Sequence, residues 1–402
     1  MSAAHLTAIF PEEFKRPIPN DFRTISENNI DNQLNTDVFE DDANPEDITT
    51  SSTYKEQIDK ANLYLENNKY TLFTPDNLSM LSPKFLKLLQ NIQYSIQNPD
   101  KDRLHLIYSQ FRTLEGIGIF KLVLEANGFA QFKIKKNDEG LWDIDMNDED
   151  KGKPTFILYT GTETAEEKEI LRNIFNSTWG NLQTNLVEQL HSISSNNHYG
   201  EIIKIIMITA SGAEGISLRN VCYVHLMESY WHPVRLEQVI GRARRICSHQ
   251  DLPEQHRTVD VFMYLMTLSD KQRNGTDYIN ITRNDVSKVD NKTALTSDEA
   301  LYEISNIKTQ INSNLLRNVK ESSFDCSLHT NTSSGSKENL ICYSTGSVDT
   351  NTFSYKTSYE GEDTDKISNI NKKTTLWKGK AFKLGEKPFI LKPNTNPKEV
   401  YD

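Results

Sequence analysis

The sequence predicts an α/β protein built on an open parallel sheet with helices on both faces. Two observations carry this. Five apolar runs, Leu104–Phe111, Thr155–Thr160, Ile202–Thr209, Val221–Met227 and Thr258–Thr267, are continuous rather than alternating, as in strands buried on both faces. Amphipathic helical patterns lie between them, and parallel strands need such crossovers.

In chain order, residues 1–60 read as a solvated, flexible connector. From Thr24 to Tyr54 there is no Lys or Arg but there are eight acids, a run that repels itself and buries little apolar area. Residues 61–100 form a helical lead-in: Ser82 caps, Pro83 opens, and Phe85, Leu88, Leu89, Ile92 and Ile96 recur at helical spacing. The sheet occupies 101–270. Within it Thr113 is expected to cap a helix carrying Leu114, Ile117, Phe120 and Leu124, closed by Gly128. Thr164 with Glu167 forms a capping box, and Pro233 opens a helix bearing Leu236, Val239, Ile240 and Ala243. Polar stretches at 137–153 and 176–200 read as insertions. Residues 271–345 are a helical extension in which Thr296 and Glu299 box a long helix. The remainder, 346–402, is a loop-rich tail with hairpin strands near its end.

Composition narrows the function. The 402 residues carry a net charge of −11, which argues against a chain whose whole surface coats nucleic acid, while leaving room for a local basic groove. Four cysteines without C-x-x-C pairing support neither a disulfide scaffold nor a zinc site. No run of 18 apolar residues appears, so the expectation is a soluble, intracellular protein without a membrane partner.

Three stretches carry chemistry. Gln238, Arg242 and Arg245 stand at i, i+4 and i+7 on the helix after Pro233, with Gly241 leaving that face open to a neighbour. Guanidinium groups stay charged and match phosphate oxygens bidentately; a solvated basic helix face is the alternative. Thr209-Ala-Ser211-Gly-Ala-Glu214-Gly215 follows the most hydrophobic strand, where open backbone N–H groups suit phosphate oxygens, although Gly and Ser also make ordinary turns. Ser109 and Gln110, and Thr160 and Gly161, leave two further strands at the same edge and could hold a nucleic-acid backbone or cap helices. Asp298-Glu299 reads as a helix cap, and His225, His232, His249 and Cys247 lack metal-ligand spacing. No G-x-x-x-x-G-K-[S/T] phosphate loop occurs, and no apolar strand ends in Asp-Glu.

Leu106–Gln110, Thr209–Leu218, and Trp231–Arg235 followed by Gln238–Arg245 resemble motifs IV, V and VI of superfamily 2 helicases in their Swi/Snf-like form. Tyr159–Glu163, Ala210–Gly215 and Thr296–Glu299 resemble the large DNA virus branch that includes poxvirus nucleoside triphosphatase I and the early transcription factor small subunit. The resemblance implies a RecA-like helicase C-terminal lobe. It implies Arg242 and Arg245 as catalytic phosphate-sensing arginines, and Gln238, Gly241, Gly215 and Glu214 at ATP. It places Ser109, Gln110, Thr160, Gly161, Thr209 and Ser211 on nucleic acid, expected to be DNA. ATP and Mg2+ would be held mainly by a first RecA-like lobe that this sequence lacks, supplied in trans or lost by truncation, so the chain alone is expected to be inactive. Viral RNA polymerase is a further expected partner, in a virion or cytoplasmic virus factory. The alternative is a non-catalytic binding module derived from such a lobe.

Overall fold

The computed structural model describes residues 52–112, 116–161, 163–209, 215–269, 286–323, 340, 342–344, 366–368, 379–384, 387–391 and 400–401. The chain divides into two units, Met1–Lys308 and Thr309–Asp402.

The first unit contains the sheet. Its strands are β1 (Leu104–Tyr108), β2 (Ala130–Gln131), β5 (Thr155–Tyr159), β6 (Ile205–Ile208), β7 (Val221–Leu226) and β8 (Asp260–Met263), in the order β2-β5-β6-β1-β7-β8. Every pairing is parallel. The short hairpin β3 (Ile134–Lys136) and β4 (Trp142–Ile144) stands apart from this sheet. β1, β5, β6 and β7 are shorter than their apolar runs and buried, whereas β8 at the sheet edge is exposed or half-buried, unlike the two-sided burial its run implied, and β2 has no apolar run.

Helices cover both faces, as the two-sided apolar character requires. Helices α1 (Ser52–Leu72), α2 (Pro75–Leu81), α3 (Pro83–Gln97) and α4 (Ile117–Ala126) contribute Leu65, Leu78, Phe85, Leu89 and Phe120 to a core shared with Ile107, Phe156, Ile205 and Met207. The opposite face packs Leu106, Ile157, Ile206 and Val224 against α5 (Ala165–Phe175), α6 (Thr184–Ile193) and α7 (Pro233–Ala243). Burial of these aliphatic side chains, at about 1.5–3 kcal/mol each, is the main stabilising term.

Local signals act as the sequence implies at several points. The Ser82 hydroxyl accepts from the Phe85 N–H, and the Thr164–Glu167 capping box is closed from both sides. At α4 the reading is corrected: the helix begins after Gly116, which serves as its N-cap, and Thr113 and Leu114 lie outside the described residues. The stretch 137–153 supplies the turn and β4 of the β3–β4 hairpin, and 176–200 supplies α6. The latter is anchored by buried Asn197, which donates to the carbonyls of Phe175 and Ile203 and accepts from the N–H groups of Ile202 and Ile203. Of the connector expected over 1–60, residues 1–51 lie outside the described residues, and 52–60 are helical instead, forming the start of α1.

Helix α8 (Ser297–Ser322) starts in the first unit, with Thr296 and Glu299 bonding reciprocally across its first turn. In the second unit β9 (Cys342–Ser344) pairs antiparallel with β10 (Lys366–Ser368). A further antiparallel sheet joins β11 (Lys380–Leu384), β12 (Lys387–Leu391) and β13 (Val400–Tyr401). Among the described residues, no helix is long and apolar enough to cross a membrane.

Candidate functional site at the carboxyl edge of the sheet

Parallel register is what assembles the site. Tyr108 aligns with Ile208 and Leu226, and Ile208 with Tyr159, so β5, β6, β1 and β7 end in one row. The next residues, Thr160, Thr209, Ser109 and Met227, therefore leave the sheet at one edge. Ligands of open α/β sheets bind at this edge.

Helix α7 carries its arginines back along the sheet, to the residues that lead into β7. Leu236, Val239 and Ala243 pack the helix on the sheet. Its end meets the segment after β6: the Leu218 N–H donates to the Arg242 carbonyl over 3.3 Å, and the Arg245 guanidinium donates to the Ser217 hydroxyl. Two sequence stretches read separately thus become one surface. Gly215 sits at φ +73°, a conformation glycine adopts without strain. Arg242 is half-buried in the last turn, and Gln238 is exposed one turn earlier.

One expectation changes here. Helix α7 ends at Ala243 with Arg244 as its C-cap, so exposed Arg245 lies beyond the helix rather than on its Gln238–Arg242 face. Its place is set by Ser217 instead of by helical periodicity. A side chain at Gly241 would meet nothing within 4 Å, so the space beside it is open in this chain.

The hydroxyls at the strand exits are turned inward. Ser109, Thr160 and Thr209 are each buried. The Ser109 hydroxyl donates to Glu228 Oε1 at 2.8 Å, and the Thr160 N–H donates to Glu163 Oε2 at 2.7 Å. In this conformation the Ser109 and Thr160 hydroxyls bond internally, and the Thr209 side chain is buried, so none of the three is presented to solvent. Half-buried Gln110 and exposed Gly161 remain at the surface. Ser211 and Glu214 lie outside the described residues.

Sequence reasoning missed a buried ionic group beside these exits. Lys84 on α3 donates to Asp298 Oδ2 at 2.6 Å and to the Met227 carbonyl at 2.8 Å, with both charged side chains enclosed. Asp298 is thus more than a helix cap: burial raises its carboxyl above the usual range, and it also accepts from the Met266 N–H. Glu228, two residues beyond β7, is enclosed as well, and burial pushes its carboxyl up to about 7. The available signal was an acid immediately after a continuous apolar strand.

Comparison with known proteins identifies the class. Residues 133–247 match the model of the helicase conserved C-terminal domain. Over those residues the chain is similar to a helicase C-terminal domain, and they take in β5, β6 and β7 of the parallel sheet and the whole of α7. Its relatives are proteins of large DNA viruses. It is 28% identical over 223 residues to a putative ATP-dependent RNA helicase of Acanthamoeba polyphaga mimivirus, covering 56% of this chain and 22% of that protein. It is 28% identical over 288 residues to a termination factor NPH-I homolog of African swine fever virus, covering 66% of this chain and 35% of that protein. The chain therefore spans about a fifth to a third of these relatives' length. Among solved structures, the C-terminal part of the Fun30 ATPase domain aligns with 64% of this chain and 66% of its own, at 16% identity and a TM-score of 0.32.

Proposed function

We propose that this chain supplies the second motor lobe of a viral ATP-dependent translocase acting in transcription, working with a first lobe that lies outside these 402 residues. The observation that supports the reading is the junction of α7 with the segment between β6 and β7, where Arg242 and Arg245 meet Leu218 and Ser217. In this reading Arg245 and Arg242 face the phosphates of ATP, neutralising charge that develops on the transferred phosphoryl group. A guanidinium so placed is worth about 10³–10⁵ in rate. Gln238 would orient the nucleotide, while Gly215 leaves its surroundings open. The guanidinium groups of this donor set suit the phosphates of ATP. In this reading Mg2+ is held mainly by the first lobe, with the phosphates of ATP supplying further oxygen ligands. Gln110 and Gly161 are the outward groups for a nucleic-acid backbone, DNA in this reading, with viral RNA polymerase as a further partner.

The test is steady-state Mg-ATP hydrolysis with DNA present, with and without an added first lobe. The chain alone should be inactive, the pair active, and Arg245→Ala should lower kcat of the pair at least about 10³-fold. Turnover by the isolated chain refutes the division of labour. A pair indifferent to Arg245→Ala favours a non-catalytic binding module.

A further inference from the structure

Glu228 occupies an unusual position beneath the β1 exit. Its Oε1 accepts from the Ser109 hydroxyl at 2.8 Å and its Oε2 from the Gln110 N–H at 3.0 Å, so one carboxyl grips two consecutive residues. Its own chain neighbours are tied down on either side. The Met227 carbonyl accepts from Lys84, and the Ser229 hydroxyl donates to the Asp298 carbonyl at 2.8 Å.

The charges here do not balance. Lys84 from α3 is one cation facing two carboxyls, Glu228 after β7 and Asp298 on α8, and it is Asp298 that it bonds directly. From β1 comes only the neutral phenol of Tyr108; from α7 comes Arg235, whose guanidinium lies against Tyr230. With both acids ionised the enclosed group carries a net negative charge, and one proton on Glu228 removes it. Desolvation of that charge is the cause of the raised Glu228 affinity for a proton near neutrality.

The Ser109 hydroxyl makes the protonation legible in geometry. It has a second acceptor, the Phe111 carbonyl, at 3.2 Å, and itself accepts from the Phe111 N–H at 3.1 Å. When Glu228 is ionised, the Ser109 proton bonds Glu228 Oε1. When Glu228 is protonated, its O–H donates to Ser109 Oγ and the Ser109 proton turns to the Phe111 carbonyl. The heavy atoms keep their partners, but the Gln110 N–H then bonds a neutral carboxyl instead of a carboxylate and is held more weakly.

We propose that Glu228 is a proton-linked positioning residue for the Ser109–Phe111 exit, its uptake or release of one proton resetting how Gln110 is held against a nucleic-acid phosphate. The contact with phosphate rests on the proposed function; the proton site does not. An ionised carboxylate directly beneath Gln110 also repels phosphate, so the protonated form binds more tightly.

The experiment uses the full chain selectively labelled with 15N-glutamine, and a fluorescein-labelled oligo-dT strand with the first lobe present. The Gln110 amide shift should titrate by one proton with a midpoint near 7, and this titration should vanish in Glu228→Gln. Ser109→Ala should keep the titration but move its midpoint upward, because the ionised form loses a donor. Oligo-dT affinity should rise roughly fivefold more in wild type than in Glu228→Gln between about pH 8 and pH 6. A Gln110 amide that stays flat overturns the proton site, whether or not nucleic acid binds. A titrating Gln110 with equal pH dependence of binding in both proteins overturns the positioning role. A titrating Gln110 in a protein that binds no oligo-dT at any pH refutes the nucleic-acid reading of this edge, and with it that role.

Discussion

Two fully buried histidines give the sharpest test of the fold. Asn91 Nδ2 donates to the Tyr264 hydroxyl, so the Tyr264 proton must go to His225 Nδ1 at 2.8 Å. His225 Nε2–H then donates to His105 Nδ1 at 3.0 Å, and His105 Nε2–H to the Ser95 hydroxyl at 3.1 Å. Ser95 passes its own proton to the Lys101 carbonyl. Each bond thereby fixes the next, and both rings are neutral Nε2–H tautomers. Burial holds both imidazoles below their ordinary range, His225 down to about 3. The unfolded chain, with an imidazole pKa near about 6.5, takes up protons that the folded chain refuses, so stability falls as pH drops below about 6.5. For His225 the loss between about pH 7 and pH 5 is about 2 kcal/mol. Glu228 works in the opposite sense, since its folded pKa is raised and its contribution grows as pH falls below about 7. Comparing wild type with His225→Gln cancels that contribution. At pH 7 the variant should be less stable by about 1–3 kcal/mol for the disrupted chain, and by pH 5 this deficit should shrink by about 2 kcal/mol. Urea unfolding followed by far-UV circular dichroism at both pH values measures it. A deficit that stays constant or widens would refute the neutral, buried assignment.

Two further outcomes follow from packing. Lys84→Met leaves Asp298 buried without its cation and should cost about 3–5 kcal/mol in urea unfolding, whereas Lys84→Met with Asp298→Leu should recover most of it; a double variant no better than the single one would show that the pair is not the unit. Gly116→Ala drives a methyl group into the Phe111 carbonyl and the Ser109 hydroxyl. It should cost about 2–4 kcal/mol and abolish the Gln110 amide titration, and an unperturbed thermal midpoint would contradict the crowding at this exit.

The elements were legible in the sequence because their causes are local. Continuous apolar runs gave β1, β5, β6 and β7, and Ser82, Thr164 and Thr296 gave helix starts, since a cap is settled within three residues. The likeness of Thr209–Leu218 and Gln238–Arg245 to helicase motifs was likewise written in contiguous residues. What tertiary structure alone decided is how distant segments meet. Insertion of β6 between β5 and β1 sets the exits in one row, yet no spacing rule foretells that order. Ser109 bonds Glu228 across 119 positions, which turns its hydroxyl from outward to inward, and Lys84 meets Asp298 across 214. Arg245 takes its place from Ser217 once the helix has ended, so its role depends on a contact and not on a period. Hydrophobic pattern and capping operate over one turn or one strand, whereas the balance of buried charge is a property of the assembled core.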